Sequence, residues 1–253
     1  MLPGLTESEL MKLFHADPPH APPGNPPTCG CFNLSGRKHG KLPPRLHAEV
    51  QDTECEAWRR VVACIDDAVA SGAETLEPLG GLTGPEREQI ITLPAAIGRL
   101  TRVRELRLYG SHLVRLPPEI GGMTALKNLD VYTSYRLHFF PYELTRCSSL
   151  RDSRVSTRAV YGNYKYRPPF PALMQPENAI ALSGVTPGSC SVCATPLDAD
   201  RLVRRWITLA VGTDWLPLLV AACSVECIRR LPTPPANHVR EPHTGGLAVV
   251  QPR

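Results

Sequence analysis

The feature that most constrains this chain is a recurring distance. Val103-x-x-Leu106-x-Leu108 is followed by Leu113, by Leu116-Pro117-Pro118-Glu119-Ile120-Gly121 and by Met123, and 23 residues after Val103 the cycle restarts as Leu126-x-x-Leu129-x-Val131. It continues through Leu137, Phe140-Pro141-Tyr142-Glu143-Leu144 and Cys147, and Leu150 opens a third cycle with one extra residue. Upstream, Leu93-Pro94-Ala95-Ala96-Ile97-Gly98-Arg99-Leu100 stands 23 residues before the Leu116 segment. Recurrence in residue type as well as in distance outranks local propensity as evidence for a fold. A single cycle cannot bury its own apolar face, so neighbouring cycles and flanking segments must cover it.

These motifs resemble the leucine-rich repeat family, in its 23-residue intracellular subclass, where Leu-Pro-x-x-Ile-Gly follows each strand. The Asn that usually closes the strand segment is replaced by Ser111 and Ser134, whose hydroxyls can make a shorter version of the same backbone bond. The resemblance implies a short leucine-rich repeat solenoid with an N-terminal capping helix; together with a small C-terminal β-hairpin/helix zinc-finger module, read from the cysteines below, the expected fold class is α/β. It also implies that the leucines of each strand point inward. The alternating residues then line the concave, partner-binding face of the solenoid: Glu105, Arg107 and Tyr109, then Asn128, Asp130 and Tyr132, then Asp152, Arg154 and Ser156. Tyrosine and arginine are over-represented at interface hot spots, so a protein partner is expected there.

The second signal is Cys190-Ser191-Val192-Cys193 with Cys223-Ser224-Val225-Glu226-Cys227. Four thiolates fill a tetrahedral zinc site with no open position, the structural arrangement. Between the pairs, 205–211 and 215–221 read as two strands about a Gly212-Thr213-Asp214 turn. Cys223 and Cys227 would share one face of a short helix that Pro232 ends. Knuckle, hairpin and helix look like a treble-clef zinc finger. The bland alternative is four small buried apolar groups, which cysteine often supplies, and a redox pair is a third reading of Cys-x-x-Cys. Cys29-Gly30-Cys31, with His15, His20 and His39 in the same part of the chain, is a further candidate cluster. Cys147 takes the cycle position of Met123 and Leu100, which marks it as core.

The remaining boundaries follow from composition. Residues 1–50 form a Pro-rich arm with a short helical candidate at Glu7–His15. Residues 51–90 carry a capping helix, expected over Glu54–Ala70 from the spacing of Trp58, Val61, Val62, Ile65, Ala68 and Val69. Repeats and their C-terminal cap occupy 91–170, a linker 171–187, the finger 188–232, and a disordered tail 233–253. Such a division suits 253 residues with 27 prolines.

The formal charge of +4 has a local origin, since Arg151, Arg154, Arg158, Lys165 and Arg167 face only Asp152 within 151–170. Tyr161, Tyr164, Tyr166 and Phe170 interleave with these cations. That composition suits single-stranded nucleic acid as an alternative partner, or equally a cap over the last leucines. Nine cysteines without an export signal read as reduced thiols and metal ligands in a cytoplasmic protein. The longest apolar stretch, Trp215–Cys223, is too short to span a bilayer. No nucleophile elbow, phosphate loop, dinucleotide fingerprint or His-Glu-x-x-His motif occurs, so no enzyme is expected.

Overall fold

A computed structural model describes Cys29 and residues 45–163, 165, 167–178, 181–182 and 185–252. Helix α1, Glu56–Ser71, buries Ala57, Val61, Ile65 and Ala68 along one stripe and ends at Gly72, whose φ of 64° is the left-handed turn that glycine adopts at least cost. Helix α2, Gly84–Glu88, begins at a capping box in which Thr83 and Glu86 satisfy each other's backbone donors.

Four short strands then form a parallel sheet in the order β1 (Thr75–Leu76), β2 (Glu105–Arg107), β3 (Asn128–Val131) and β5 (Asp152–Val155). Their register follows the cycle, with Glu105 opposite Asn128 and Asn128 opposite Asp152. Leu106, Leu108, Leu129 and Val131 are buried. Each cycle returns through a 3₁₀ turn, Ala95–Arg99, Pro118–Gly122 and Tyr142–Arg146, introduced by a proline in extended conformation. These turns touch closely: a Cβ on Gly121 would lie 2.7 Å from the Glu143 carbonyl oxygen, so only glycine fits. The serines close the strand turns as their chemistry allows. Ser134 Oγ bonds the Leu108 carbonyl at 3.1 Å and the Ser111 hydroxyl at 2.7 Å, and Ser156 Oγ accepts from the Thr133 amide at 2.7 Å.

The expected fold class needs correction. The molecule is a mixed α/β arrangement of two sheets with few helices, and not a leucine-rich repeat solenoid followed by a separate finger. The second sheet has the order β4 (Phe140–Pro141), β7 (Asp214–Ala222), β6 (Val203–Val211). Its first strand comes from within the 91–170 stretch and pairs in parallel with β7, Phe140 opposite Leu218. The hairpin therefore adds strands to the body of the protein. One face of it, with Ile207, Leu209, Leu216, Leu218 and Val220, joins the same buried cluster as α1 and the leucines. Its other face, with Trp206 and Leu219, packs on Phe139, Tyr161, Phe170, Leu173 and Val185. The physical reason is area: two full cycles offer a small apolar face, and the hairpin supplies the covering that a longer array would find in further cycles.

Segments read from the sequence as linker and tail also take part. Leu173, Ala181, Leu182 and Val185 are buried. His243 pairs with Trp206 through two backbone bonds of 2.8 and 3.0 Å, and the Trp206 indole donates to the Pro171 carbonyl at 2.9 Å. The Glu7–His15 helical candidate lies outside the described residues. Among the described residues no helix is long and apolar enough to cross a membrane.

Candidate metal centre and binding face

Cys190 and Cys193 sit on a tight turn closed by a Ser189–Pro196 bridge, with the Cys190 amide donating to the Thr195 carbonyl at 2.7 Å. Ala194 takes φ of 61° to complete it. Cys223 follows β7 directly, and Cys227 lies in helix α3, Val225–Arg229, whose first turn is capped by Ser224 Oγ accepting from the Cys227 amide. Ser191 ties the turn to the hairpin, its amide donating to the Ala221 carbonyl at 2.8 Å and its hydroxyl accepting from the Ala221 amide at 3.0 Å.

All four sulfurs lie within 4.8 Å of one another. Cys193–Cys223 and Cys223–Cys227 are each 3.6 Å apart. That is far beyond a disulfide bond of about 2.05 Å. It is close to the roughly 3.8 Å edge of a tetrahedron whose corners stand about 2.3 Å from a central ion. The bland reading of four unrelated buried thiols does not require this convergence from three separate elements. The four cysteines can hold a metal ion.

Electrostatics point the same way. The Thr195 hydroxyl and amide hold the Cys193 thiol down to about 6. Burial would push Cys190 up, but amides of Cys193, Cys223 and Val192 outweigh it and lower it. Cys223, facing Cys193 and Cys227, is pushed up to about 12. Four sulfurs this close cannot all be anionic alone, and a divalent cation supplies the charge that lets them be.

The residues expected to form a partner-binding face are brought together on one side of the parallel sheet. Glu105, Asn128 and Asp152 form one row across the strands, and Arg107, Asp130 and Arg154 the next. Tyr109 and Tyr132 stand side by side, ring centroids 6.2 Å apart and tilted by 39°. Arg154 bonds Asp130 at 2.9 Å while its guanidinium lies 5.4 Å from the Tyr132 ring centre. Arg107 holds Glu105 through two bonds of 2.9 and 3.1 Å. Burial raises the Asp130 carboxyl above its ordinary value, against the Tyr132 amide and Arg154, which lower it. Ser156 is buried and serves the strand turn instead.

The chain matches no known protein family and no curated protein.

Of the basic stretch, Tyr164 and Tyr166 lie outside the described residues. Tyr161 and Phe170 are 1% exposed, packed against Trp206, so neither ring is offered to a base. Cys147 is buried, its thiol donating to the Ile120 carbonyl at 3.3 Å and pushed up to about 12 by burial. Cys31, His15, His20 and His39 lie outside the described residues. Cys29 is described, and it meets His138, a residue the sequence reading did not single out. With 109 positions between them, no local pattern announces that pair.

Proposed function

We propose that this chain is a non-catalytic interaction protein that binds a protein partner on the outward face of the parallel sheet, with one structural zinc ion at Cys190, Cys193, Cys223 and Cys227. The observation that carries the binding reading is the Tyr109–Tyr132 pair, bordered by Arg154, Asp130, Arg107 and Glu105 on adjoining rows. Rigid aromatic rings beside charges of both signs are what protein hot spots are made of. The resemblance of the Leu-x-x-Leu-x-Leu and Leu-Pro-x-x-Ile-Gly segments to leucine-rich repeat proteins supports the same use of this face. Zinc suits a closed set of four thiolates, which leaves no position for substrate. Cys55, Cys64, Cys147, Cys190, Cys193, Cys223 and Cys227 form no disulfide among the described residues, which fits a reducing, cytoplasmic setting.

The test is affinity capture from lysate, with and without nuclease, using the Tyr109→Ala/Tyr132→Ala double variant and a second variant with Arg158, Lys165 and Arg167 replaced by alanine. The tyrosine variant should weaken capture by more than about 2 kcal/mol, and the basic variant should matter less. Capture that is lost with nuclease, falls steeply with salt and ignores both tyrosines would make nucleic acid the partner and overturn the proposal.

A further inference from the structure

Apart from the four cysteines, a second set of donors converges where the 45–50 segment meets the connection between β3 and β4. Cys29 Sγ lies 3.0 Å from His138 Nε2, and His47 Nε2 lies 3.3 Å from the same nitrogen. The three ligand atoms fall within 4.8 Å of one another.

The tautomers are set by chemistry. His138 Nδ1 lies 2.5 Å from the Ala159 carbonyl oxygen, which can only accept, so that nitrogen carries the proton. His47 Nδ1 lies 3.2 Å from both carboxylate oxygens of Glu49, which imposes the same assignment. Each imidazole therefore presents the lone pair of its Nε2 toward the other and toward the sulfur. Two lone pairs at 3.3 Å repel unless a proton or a metal cation stands between them. Outer partners of this kind, one carbonyl and one carboxylate, are what orient histidines on metals. The nitrogen separation agrees with the roughly 3.3 Å edge expected for two nitrogens about 2.05 Å from a tetrahedral ion. The sulfur at 3.0 Å is at thiol-to-imidazole hydrogen-bond distance, and exchange of its proton for a metal would open the gap to roughly 3.6 Å.

The donors are also held in advance. His138 is 2% exposed and its ring packs 5.4 Å from Tyr161. His47 is fixed from behind: Arg115 donates to the His47 and Glu49 carbonyls, and Arg136 pairs with the Glu49 carboxylate. Farther back, the Leu46 amide donates to Asn178 Oδ1 at 3.2 Å.

We infer that Cys29, His47 and His138 form a second metal site, for a zinc-class divalent cation, that fastens Cys29 and the 45–50 segment to the β3–β4 connection. Two imidazoles and a thiolate suit a borderline-soft ion. Binding releases the Cys29 thiol proton to solvent and leaves a fourth position to water or one further donor. The site shares no ligand with the four-cysteine centre.

The test is elemental analysis of the full chain purified with zinc, alongside Cys29→Ser and His47→Gln, both at positions that do not line the leucine core. The wild type should carry one equivalent more than each variant. Cobalt substitution gives a second reading, since loss of the mixed nitrogen–sulfur site removes its own absorption and leaves that of four thiolates. Because the measured quantity is a difference between wild type and variant, failure of the four-cysteine centre would lower both totals and leave that difference intact. Equal metal content and equal cobalt spectra in all three proteins would overturn the site.

Discussion

The two sheets solve the same burial problem in opposite ways. In the parallel sheet, strands of two to four residues lie side by side, and each buries one set of residues while its alternate residues face solvent. In the second sheet, β6 and β7 run nine residues each, and β7 is buried at seven consecutive positions after Trp215. Its two faces serve two different cores, aliphatic on one side and aromatic on the other. A sheet covered on one face keeps residues available for recognition. A sheet covered on both has few to spare, Trp215 at its turn among them, and its value is as a wall that both cores need.

That contrast can be broken in four ways. The largest effect should come from the metal proposed at the four cysteines. Structural zinc sites carry about 10–16 kcal/mol of apparent binding free energy, more than any single side chain. Stripping it with a chelator, or replacing Cys227 by serine, should expose 188–232 to hydrogen exchange and carry the Phe140 amide with it, because β4 is paired to β7. Unchanged protection of the Phe140 amide after metal loss would mean that the hairpin is not the wall described. Next, Leu106→Ala, at a position 0% exposed, should cost about 2–5 kcal/mol in chemical denaturation. A loss below that range would place Leu106 outside the core.

The aromatic side has its own signature in acid. Burial lowers the His243 imidazole from 6.5 to about 4, so the folded state holds it neutral where the unfolded chain would take a proton. Its stabilising contribution is complete above about pH 6.5 and fades as pH falls through about 4, amounting to roughly 3 kcal/mol at full protonation. His243→Asn keeps an acceptor for the Gly245 amide and should flatten this part of the pH profile. An unchanged profile would show that His243 is not the group responsible. Smallest of all, Arg107→Ala on the outward face should shift the melt by no more than about 0.5 kcal/mol. A larger loss would mean that the outward row also supports the fold.

What could be read from residues alone follows the range of the interaction. The alternation at Leu106, Leu108, Leu129 and Val131 was legible because a strand repeats every two residues and the cycle repeats it 23 later. The cysteine convergence was legible because each pair is local and two such pairs make the four donors of a closed metal site. Helix α1 begins and ends within two residues of its expectation. The fold class was misjudged at β4, where two residues, Phe140 and Pro141, sit inside a repeat segment and carry no sign of a partner at Leu218 and Leu219. Tyr161 and Phe170 were ambiguous for a related reason. Aromatic residues among cations look the same whether they turn outward to a ligand or inward to Trp206, and only a strand arriving from 203–211 decides it.

The β4–β7 pairing also sets an order of events during synthesis. Phe140 leaves the ribosome 78 residues before Leu218, its partner in the sheet. At about 5–20 residues per second, the edge at Phe140 and the apolar surface beneath it wait for roughly 4–16 s with nothing to cover them. Proline at 141 blunts that edge meanwhile, since it offers no amide to a stray strand. The N-terminal half of this protein is thus made early and finished late, and a chain truncated before β7 should be a substrate for chaperones and proteases instead of a smaller folded domain.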